Sequence, residues 1–333
     1  MMRTYIIAEA GVNHNGKLDL ALKLCDAAKE AGVDAVKFQT WKTENIVTAQ
    51  ARQAAYQTEN TGVEESQFDM LKKLELSYDH FRYIQGYCKK IGIEFLSTPD
   101  EEESLAFLVS LGLPFIKVGS GEVTNIPYLR IIASYGKPVI LSTGMSTLAQ
   151  VATAYDTLLA SGAPKVSLLH CTTNYPCPYD EVNLRAMLTL KEAFKCQVGY
   201  SDHTMGTEIP VAAVAMGAEI IEKHFTLDRT MEGPDHKASL EPAELKQMVE
   251  QIRHIEAGLG DGIKRPNKSE AKNAKVIQKS ILARRHIKNG ERLSEDMLVA
   301  KRAGEGISAK YWDMVVGAYA IKDFETDEPI VLW

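Results

Sequence analysis

The runs QVGYSDH, at residues 197–203, and EIIEKHF, at residues 219–225, are the last two of eight short β-rich segments in the chain. The six earlier segments are YIIAEA (5–10), AVKFQT (35–40), EFLSTP (94–99), FIKVGSG (115–121), PVILSTG (138–144) and VSLLHCT (166–172). Helical patterns lie between such segments, as in LDLALKLCDAAKEAG (18–32), where apolar residues recur at helical spacing and a glycine marks the end. Eight repeats of a strand followed by a helix predict an α/β fold, a (β/α)8 TIM barrel, with catalytic groups at the C-terminal ends of its strands.

The hydrophobic pattern divides the chain into three parts. We predict a TIM-barrel catalytic domain for residues 1–258, ending near the close of the helical segment PAELKQMVEQIRHIEAGLG. The polar residues 259–275 predict a linker. Residues 276–333 contain short strand patterns and Gly-centred turns, which are typical of a small β-rich domain.

The composition argues against several classes of protein. The 333 residues are 45% hydrophobic and 25% charged, which suffices for one large domain and one small one. A net charge of -6, without a dense block of Lys and Arg, argues against a nucleic-acid partner. No window is apolar enough for a membrane span, and the N-terminal apolar stretch is too short for a signal peptide, so we expect a cytoplasmic protein. Five cysteines without a C-x-x-C pair indicate reduced packing residues rather than a disulfide framework or a zinc site.

Polar side chains interrupt strands that would be nearly continuous apolar runs if both faces were packed. In AVKFQT, Lys37 and Gln39 lie on the same face, because side chains alternate along a strand. In EIIEKHF, Glu222 and His224 share a face in the same way. We predict that these polar faces point into the mouth of the barrel and form an active site, because buried charges need a partner or a ligand.

The two strands quoted first end in histidines, His203 and His224. A single histidine at a strand end is more often a hydrogen-bonded structural residue, but two on successive strands can converge on one ion. Two imidazoles without a thiol fit an open, water-rich Mn(II) or Mg(II) site better than structural zinc. A third histidine, His14 in NHNG, either lines the same site or caps a turn.

Two strand ends that contain Gly and Ser suggest an anion site. KVGSGE places Lys117 close to Ser120, and STGMST places Ser142 shortly before Gly144. Small residues, backbone N–H groups and ammonium ions surround phosphates in proteins, although Gly-Ser turns are also common in ordinary loops. G-x-G-x-x-G and G-x-x-x-x-G-K-[ST] are absent, so we predict neither a dinucleotide nor a P-loop nucleotide.

An ordered set of motifs, spread over nearly the whole chain, resembles the bacterial sialic acid synthase family, which includes N-acetylneuraminate and legionaminic acid synthases. The motifs are AEAGVNHNG (8–16), VKFQ (36–39), STP (97–99), KVGSGE (117–122), LSTGM (141–145), LLHCTTNYPCP (168–178), GYSDHT (199–204) and EKHFTLDRTMEGPDHKASL (222–240). The C-terminal part resembles that family's antifreeze-like domain, a SAF-type β-clip sugar-binding domain, with KRAGEG (301–306) similar to its Arg-Gly turn. The resemblance implies that phosphoenolpyruvate condenses with N-acetylmannosamine, with C–O cleavage releasing phosphate, to give N-acetylneuraminate.

The resemblance also implies roles for individual residues. His203 and His224 match metal ligands for Mn(II) or Mg(II). The matching catalytic positions, with Glu222 as the candidate acid/base, are Glu222, Glu9, Lys37 and Lys117. The matching substrate-binding positions are Gln39, Thr98, Ser120, Ser142, Thr173, Asn174, Tyr175, Ser201, Asp235 and Arg302. Arg302 would reach the sugar site of the partner chain in a domain-swapped homodimer.

One motif departs from the family pattern. Some members have CTNIYP where this chain has CTTNYP, at residues 171–176. Thr173 therefore occupies the place of their phosphate-contacting Asn, and Asn174 is shifted by one position. The role of Asn174 stays open, and this departure bears on the choice of sugar.

Two alternatives stay open at this point. The motifs fit legionaminic acid synthase equally, with 2,4-diacetamido-2,4,6-trideoxymannose as the sugar instead of N-acetylmannosamine. A carbohydrate- or ice-binding protein that uses its C-terminal domain, with the barrel as a scaffold, belongs to a different class. The strand-end lysines and histidines, together with Glu222, argue against that second alternative.

Overall fold

A computed structural model describes residues 3–333 and places eight parallel strands in one sheet. The strands are β1 (Tyr5–Gly11), β2 (Ala35–Thr40), β3 (Glu94–Pro99), β4 (Ile116–Val118), β5 (Val139–Ser142), β6 (Val166–His170), β7 (Val198–Asp202) and β8 (Ile220–His224). Their order in the sheet is β3-β2-β1-β8-β7-β6-β5-β4, so the first strand pairs with the last. Because β3 and β4, at the two ends of this order, also lie against each other, the sheet curls into the predicted barrel.

Helices follow the strands and cover the outside of the barrel. They are α1 (Leu18–Ala31), α2 (Thr43–Ile46), α3 (Ala55–Thr61), α4 (Gln67–Leu74), α5 (Tyr78–Ile91), α6 (Glu102–Ser110), α7 (Ile126–Ser134), α8 (Leu148–Ala160), α9 (Arg185–Phe194), α10 (Glu208–Ala215) and α11 (Pro242–Gly258). Short 3-10 helices lie at Ser120–Thr124, Tyr179–Glu181 and His236–Ala238. Among the connections between the barrel strands and the helices that follow them, the one from β2 to α5 is the longest, and it contains three helices, α2 to α4.

The alternation of side chains along the strands separates two regions of the barrel. Outward-pointing residues such as Val36, Phe38 and Ile221 pack in the large core under the helices. Inside the barrel, a small apolar layer closes its lower end: Ile7, Ala35, Leu96, Ile140, Leu169 and Ile220. The next inward position is polar on five of these six strands, so an apolar layer lies directly beneath the polar mouth of the barrel.

The chain divides into two compact units, one ending at Gly260 and the other spanning Asp261–Trp333. The second unit pairs β9 (Ser280–Ala283) with β10 (Leu298–Lys301) in antiparallel fashion, around a core that includes Ile281 and Phe324. Its helices are α12 (Lys268–Ile277) and α13 (Trp312–Val315), with 3-10 turns at Glu295–Met297 and Ala309–Tyr311. Most of α12 falls within residues 259–275, which the sequence predicts as a linker. The first two residues of the predicted barrel domain lie outside the described part of the chain.

None of the helices within residues 3–333 has the length and apolar character that crossing a membrane requires.

Candidate active site

Two carboxylates and two lysines meet at the mouth of the barrel, on β1, β2, β4 and β8. Lys37 Nζ lies 2.7 Å from Glu9 Oε2 and 3.7 Å from Glu222 Oε2. Lys117 Nζ lies 3.6 Å from the other oxygen of Glu222. All four residues are at most 5% exposed. Glu222 therefore lies between two ammonium groups, in a site from which most water is excluded.

Hydroxyl and amide groups from neighbouring strands complete this cluster. Lys37 donates to Thr98 Oγ1 at 3.0 Å, and Lys117 donates to Ser142 Oγ at 2.8 Å. Ser201 donates to Glu222 Oε1 at 3.1 Å, and Gln39 donates to Glu9 Oε1 at 3.0 Å. The structure thus brings together eight of the sequence-predicted site residues: Glu9, Lys37, Gln39, Thr98, Lys117, Ser142, Ser201 and Glu222.

The surroundings shift the pKa values of Glu9 and Glu222 in opposite directions. Burial, assisted by the negative charge of Glu222, raises the pKa of Glu9 to about 7 despite the nearby Lys37. Burial alone would also raise the pKa of Glu222, but the ammonium groups of Lys117 and Lys37 bring it below its usual range. Near neutral pH, Glu9 exchanges a proton readily while Glu222 stays ionised.

The same cluster shifts the pKa values of the two lysines in opposite directions. Burial would lower the pKa of Lys37, but the Glu222 and Glu9 carboxylates outweigh it and hold that pKa above its usual value. For Lys117, burial dominates and lowers the pKa. An anionic ligand would compensate the burial of the Lys117 ammonium group.

The two histidines face each other beside this cluster, with ring centroids 5.5 Å apart. His203 donates through Nδ1 to the Thr172 carbonyl oxygen at 2.6 Å, which leaves its Nε2 lone pair available. His224 Nδ1 is buried without a hydrogen-bond partner, 4.0 Å from Asp235 Oδ2. The Tyr175 ring lies 4.1 Å from that of His203, centroid to centroid. Each imidazole therefore keeps one ring nitrogen without a recorded hydrogen bond, in two rings that lie side by side.

Burial keeps both imidazoles neutral, because it lowers the pKa of His203 and of His224. Burial also raises the pKa of Asp235, to about 6. Neutral imidazole is the form that binds metal ions. Within residues 3–333, no three His, Cys, Asp or Glu side chains form a group arranged to hold a metal.

Ser120 and Thr173 approach each other around Gly144. Ser120 Oγ accepts from the Gly144 backbone N–H at 2.9 Å, and Thr173 Oγ1 is buried without a hydrogen-bond partner. A Cβ at position 144 would lie 2.3 Å from Thr173 Oγ1 and 2.9 Å from Ser120 Oγ. Only glycine fits here, and the Thr173 hydroxyl has capacity for a ligand.

The structure also places three other residues that the sequence singles out. Asn174 Oδ1 accepts from the backbone N–H of Tyr175, so this side chain serves its own loop. Arg302 follows β10 in the second unit, where it is exposed. His14 Nδ1 accepts from the Gly16 backbone N–H at 3.1 Å, as a turn-capping residue does, while its Nε2 is buried without a hydrogen-bond partner.

Sequence reasoning missed two further residues near the mouth. Asp100, directly after β3, has its pKa raised to about 7, chiefly by burial. A carboxylate directly after the strand motif STP was an available signal. Asn60, in α3, donates to the carbonyl oxygens of Tyr175 (3.3 Å) and Pro234 (2.7 Å) and so joins two active-site loops. Nothing in the local sequence around Asn60 indicates that long-range contact.

Known proteins resemble this chain over nearly its full length. The NeuB family matches residues 24–264, and the SAF domain matches residues 278–332. N,N'-diacetyllegionaminic acid synthase of Campylobacter jejuni is 51% identical over 99% of both chains. The protein of the same name from Legionella pneumophila is 46% identical over 95% of this chain and 90% of its own.

A solved structure gives a matching fold. The crystal structure of N-acetylneuraminic acid (sialic acid) synthetase from Leptospira borgpetersenii, in complex with citrate, aligns with a TM-score of 0.72 at 36% identity, over 82% of this chain and 90% of that one. The family resemblance, the barrel and the SAF-type C-terminal domain expected from the sequence are confirmed by these matches.

Proposed function

Because the chain belongs to the NeuB family, we propose that it condenses phosphoenolpyruvate with an N-acetylated mannose-type sugar, forming a nine-carbon 2-keto acid and releasing phosphate. The observation that carries this proposal is the buried cluster of Lys37 and Lys117 around Glu222. Two ammonium groups match the phosphate and carboxylate of phosphoenolpyruvate, and the Thr98, Ser142 and Ser120 hydroxyls supply further hydrogen bonds.

For the sugar, we propose 2,4-diacetamido-2,4,6-trideoxymannose, with N,N'-diacetyllegionaminic acid as the product. Relatives at 51% and 46% identity carry that product in their names. The Leptospira synthetase named for N-acetylneuraminic acid is 36% identical. The comparisons therefore favour the alternative sugar over N-acetylmannosamine, the first interpretation of the sequence. Gln39, Tyr175 and Asp235 are the barrel residues proposed to surround the sugar.

We further propose that His203 and His224 hold a divalent ion, Mn(II) or Mg(II). Their neutral imidazoles, and the His224 Nδ1 that has no hydrogen-bond partner, fit such a ligand. When bound, the ion would act as a Lewis acid toward the aldehyde oxygen of the open-chain sugar. Asp235, proposed above as a sugar contact, lies beside this site, with Oδ2 at 4.0 Å from His224 Nδ1.

The residues of the chain suggest a sequence of proton transfers. C3 of phosphoenolpyruvate bonds to C1 of the sugar, and Glu9, which carries a proton near neutral pH, donates it to the new alkoxide. A water then adds at C2, and the ionised Glu222 takes up its proton. The C–O bond to phosphate then breaks, and the C2 hydroxyl gives its proton to the departing phosphate and becomes the 2-keto group. Lys37 and Lys117 hold the anionic groups throughout.

Phosphate release tests this proposal. We expect release that needs both phosphoenolpyruvate and sugar, stops on chelation and returns with Mn(II) or Mg(II). His203→Ala and His224→Ala should lower turnover and metal dependence together, whereas His254→Ala, at an exposed position on α11, should retain both. Reaction in heavy-oxygen water should label the keto acid and leave the phosphate unlabelled. Phosphate release without sugar, or labelled phosphate, would contradict the proposed reaction.

A further inference from the structure

A pair of charges is fully buried behind the active site, between the barrel and its helices. Lys223 on β8 and Asp202 on β7 are each 0% exposed, and Lys223 Nζ lies 2.5 Å from Asp202 Oδ2. Their neighbours on the same outward face, Ile221, Phe225 and Tyr200, pack as apolar core. A buried ion pair stabilises a fold no better than well-packed apolar residues of similar volume, so the packing of the core does not by itself explain these charges.

The pair forms a closed network with Thr204. Lys223 Nζ also donates to the Thr204 carbonyl oxygen at 2.5 Å. Thr204 Oγ1 lies 3.0 Å from each carboxylate oxygen of Asp202, and the Thr204 backbone N–H donates to Asp202 Oδ1 at 3.1 Å. Asp202 and Thr204 flank His203 in the chain. The network therefore fixes the backbone on both sides of that histidine, across the end of β7.

The same network anchors the strand that carries the second histidine. Lys223 lies between Glu222 and His224, and it is paired in register with Asp202. Because successive side chains of a strand point to opposite faces, holding Lys223 outward directs Glu222 and His224 inward. His203 has its own side-chain hydrogen bond, to Thr172, but His224 Nδ1 has none. The His224 ring is thus held by its packing against Tyr175 and His203 and by the backbone of β8, not by a hydrogen bond at Nδ1.

We propose that Lys223, Asp202 and Thr204 are positioning residues, which lock the ends of β7 and β8 so that the His203 and His224 imidazoles are preorganised for one divalent ion. This inference rests on the metal site proposed above. The three residues touch neither metal nor substrate in this role and act through the strands that they join. Residues that orient metal ligands without binding the metal tune the affinity of many metal sites.

Mn(II) binding to the full-length protein, without substrates, tests the inference. Free Mn(II) is followed by electron paramagnetic resonance during titration of the wild type, His203→Ala and the double variant Lys223→Met/Asp202→Asn, which removes both charges together. The matched control is Arg253→Met/Asp34→Asn, which removes another ion pair of the barrel unit, with a 3.0 Å separation and no contact to either histidine. Circular dichroism and melting temperature report folding for every variant.

We expect the Kd for Mn(II) to rise by about 10- to 100-fold in the Lys223→Met/Asp202→Asn variant and to stay unchanged in the control, even if both variants melt at lower temperature. A folded double variant with wild-type Kd overturns the inference alone. If the wild type binds no Mn(II) that depends on His203, the proposed metal site fails and the inference fails with it. Should the double variant not fold, Thr204→Val decides: a raised Kd supports the positioning role, and an unchanged one overturns it.

Discussion

The two buried carboxylates at the barrel mouth favour different protonation states, although both lie beside Lys37. Glu9 faces one ammonium group and the charge of Glu222, whereas Glu222 faces two ammonium groups. A pair of carboxylates whose surroundings push their pKa values apart can divide acid and base roles between them. In the proposed reaction, Glu9 supplies a proton and Glu222 accepts one.

The pH dependence of turnover checks this division. Since the pKa of Glu9 is raised to about 7, its protonated form is populated below about pH 7 and lost above it. We therefore expect kcat/KM, which reports the pKa values of the free enzyme, to be roughly constant just below that pH and to fall about tenfold per pH unit above it. Glu9→Gln, which cannot give up a proton, should lower kcat by about 10²- to 10⁴-fold and remove this limb of the profile.

Asp100 serves as the control for the pH profile, because its pKa is also raised to about 7. Asp100→Asn should retain the alkaline limb. Loss of the limb in Asp100→Asn, with retention in Glu9→Gln, would transfer the acid role to Asp100 and contradict the assignment.

The strands illustrate what local sequence determines. The apolar alternation in AVKFQT and EIIEKHF predicts which residues face the barrel mouth, because a strand has only two faces. The same alternation placed Lys223 and Asp202 on the outer, apolar side, where an ion pair between two strands is invisible in either strand alone. The role of Asn60 could not be predicted for a related reason, since its hydrogen-bond partners lie more than a hundred residues away in sequence.

The long connection between β2 and α5 bears on sugar binding through Asn60. Its amide group joins the backbone of the Tyr175 loop to that of the loop preceding Asp235. Tyr175 and Asp235 are both proposed sugar contacts. Asn60→Ala should loosen the two loops and raise the sugar KM by about three- to tenfold, the worth of one hydrogen bond, while leaving the KM for phosphoenolpyruvate nearly unchanged.

The matched control for Asn60 is Asn45→Ala, at an asparagine of α2 in the same connection whose amide contacts Glu101 instead. Steady-state kinetics with each substrate varied in turn separates the two KM values. Equal increases in both KM values for Asn60→Ala would indicate a general loss of structure rather than a sugar-specific one.

The division of the chain into units was harder to predict in detail than the barrel itself. Residues 259–275 are polar, which suggests a linker, yet α12 begins within them. The signal was present, because Asn267 and Glu270 form a capping box, with Asn267 Oδ1 accepting from the Glu270 backbone N–H at 3.0 Å. The sequence motifs do not distinguish the sugar, because the residues that recognise the shared chemistry are common to synthases of several acids.

Arg302 is the residue of the C-terminal unit for which we propose a role in the reaction. We propose a domain-swapped homodimer in which Arg302 holds an acetamido carbonyl of the sugar at the partner's barrel, for which paired guanidinium donors are well suited. Arg302→Ala should then raise the sugar KM by about 10- to 100-fold, the worth of a charge-assisted hydrogen bond, and affect phosphoenolpyruvate much less.

Mixed dimers check the exchange of Arg302 between chains. Mixing Arg302→Ala with His224→Ala places one intact barrel beside one intact Arg302, so random equimolar dimers should restore about a quarter of wild-type sites by twofold counting. Tagged and purified mixed dimers that show no more activity than their parents would refute the exchange.

Measuring which sugar the protein uses tests the proposed function most directly. Purified protein is given phosphoenolpyruvate and a divalent ion with equimolar 2,4-diacetamido-2,4,6-trideoxymannose and N-acetylmannosamine, and the products are quantified by mass spectrometry. The ratio of the two products gives the ratio of the kcat/KM values. We predict N,N'-diacetyllegionaminic acid as the main product, formed with one phosphate per molecule. A predominance of N-acetylneuraminate would contradict the proposed sugar, and the absence of both acids would contradict the proposed reaction.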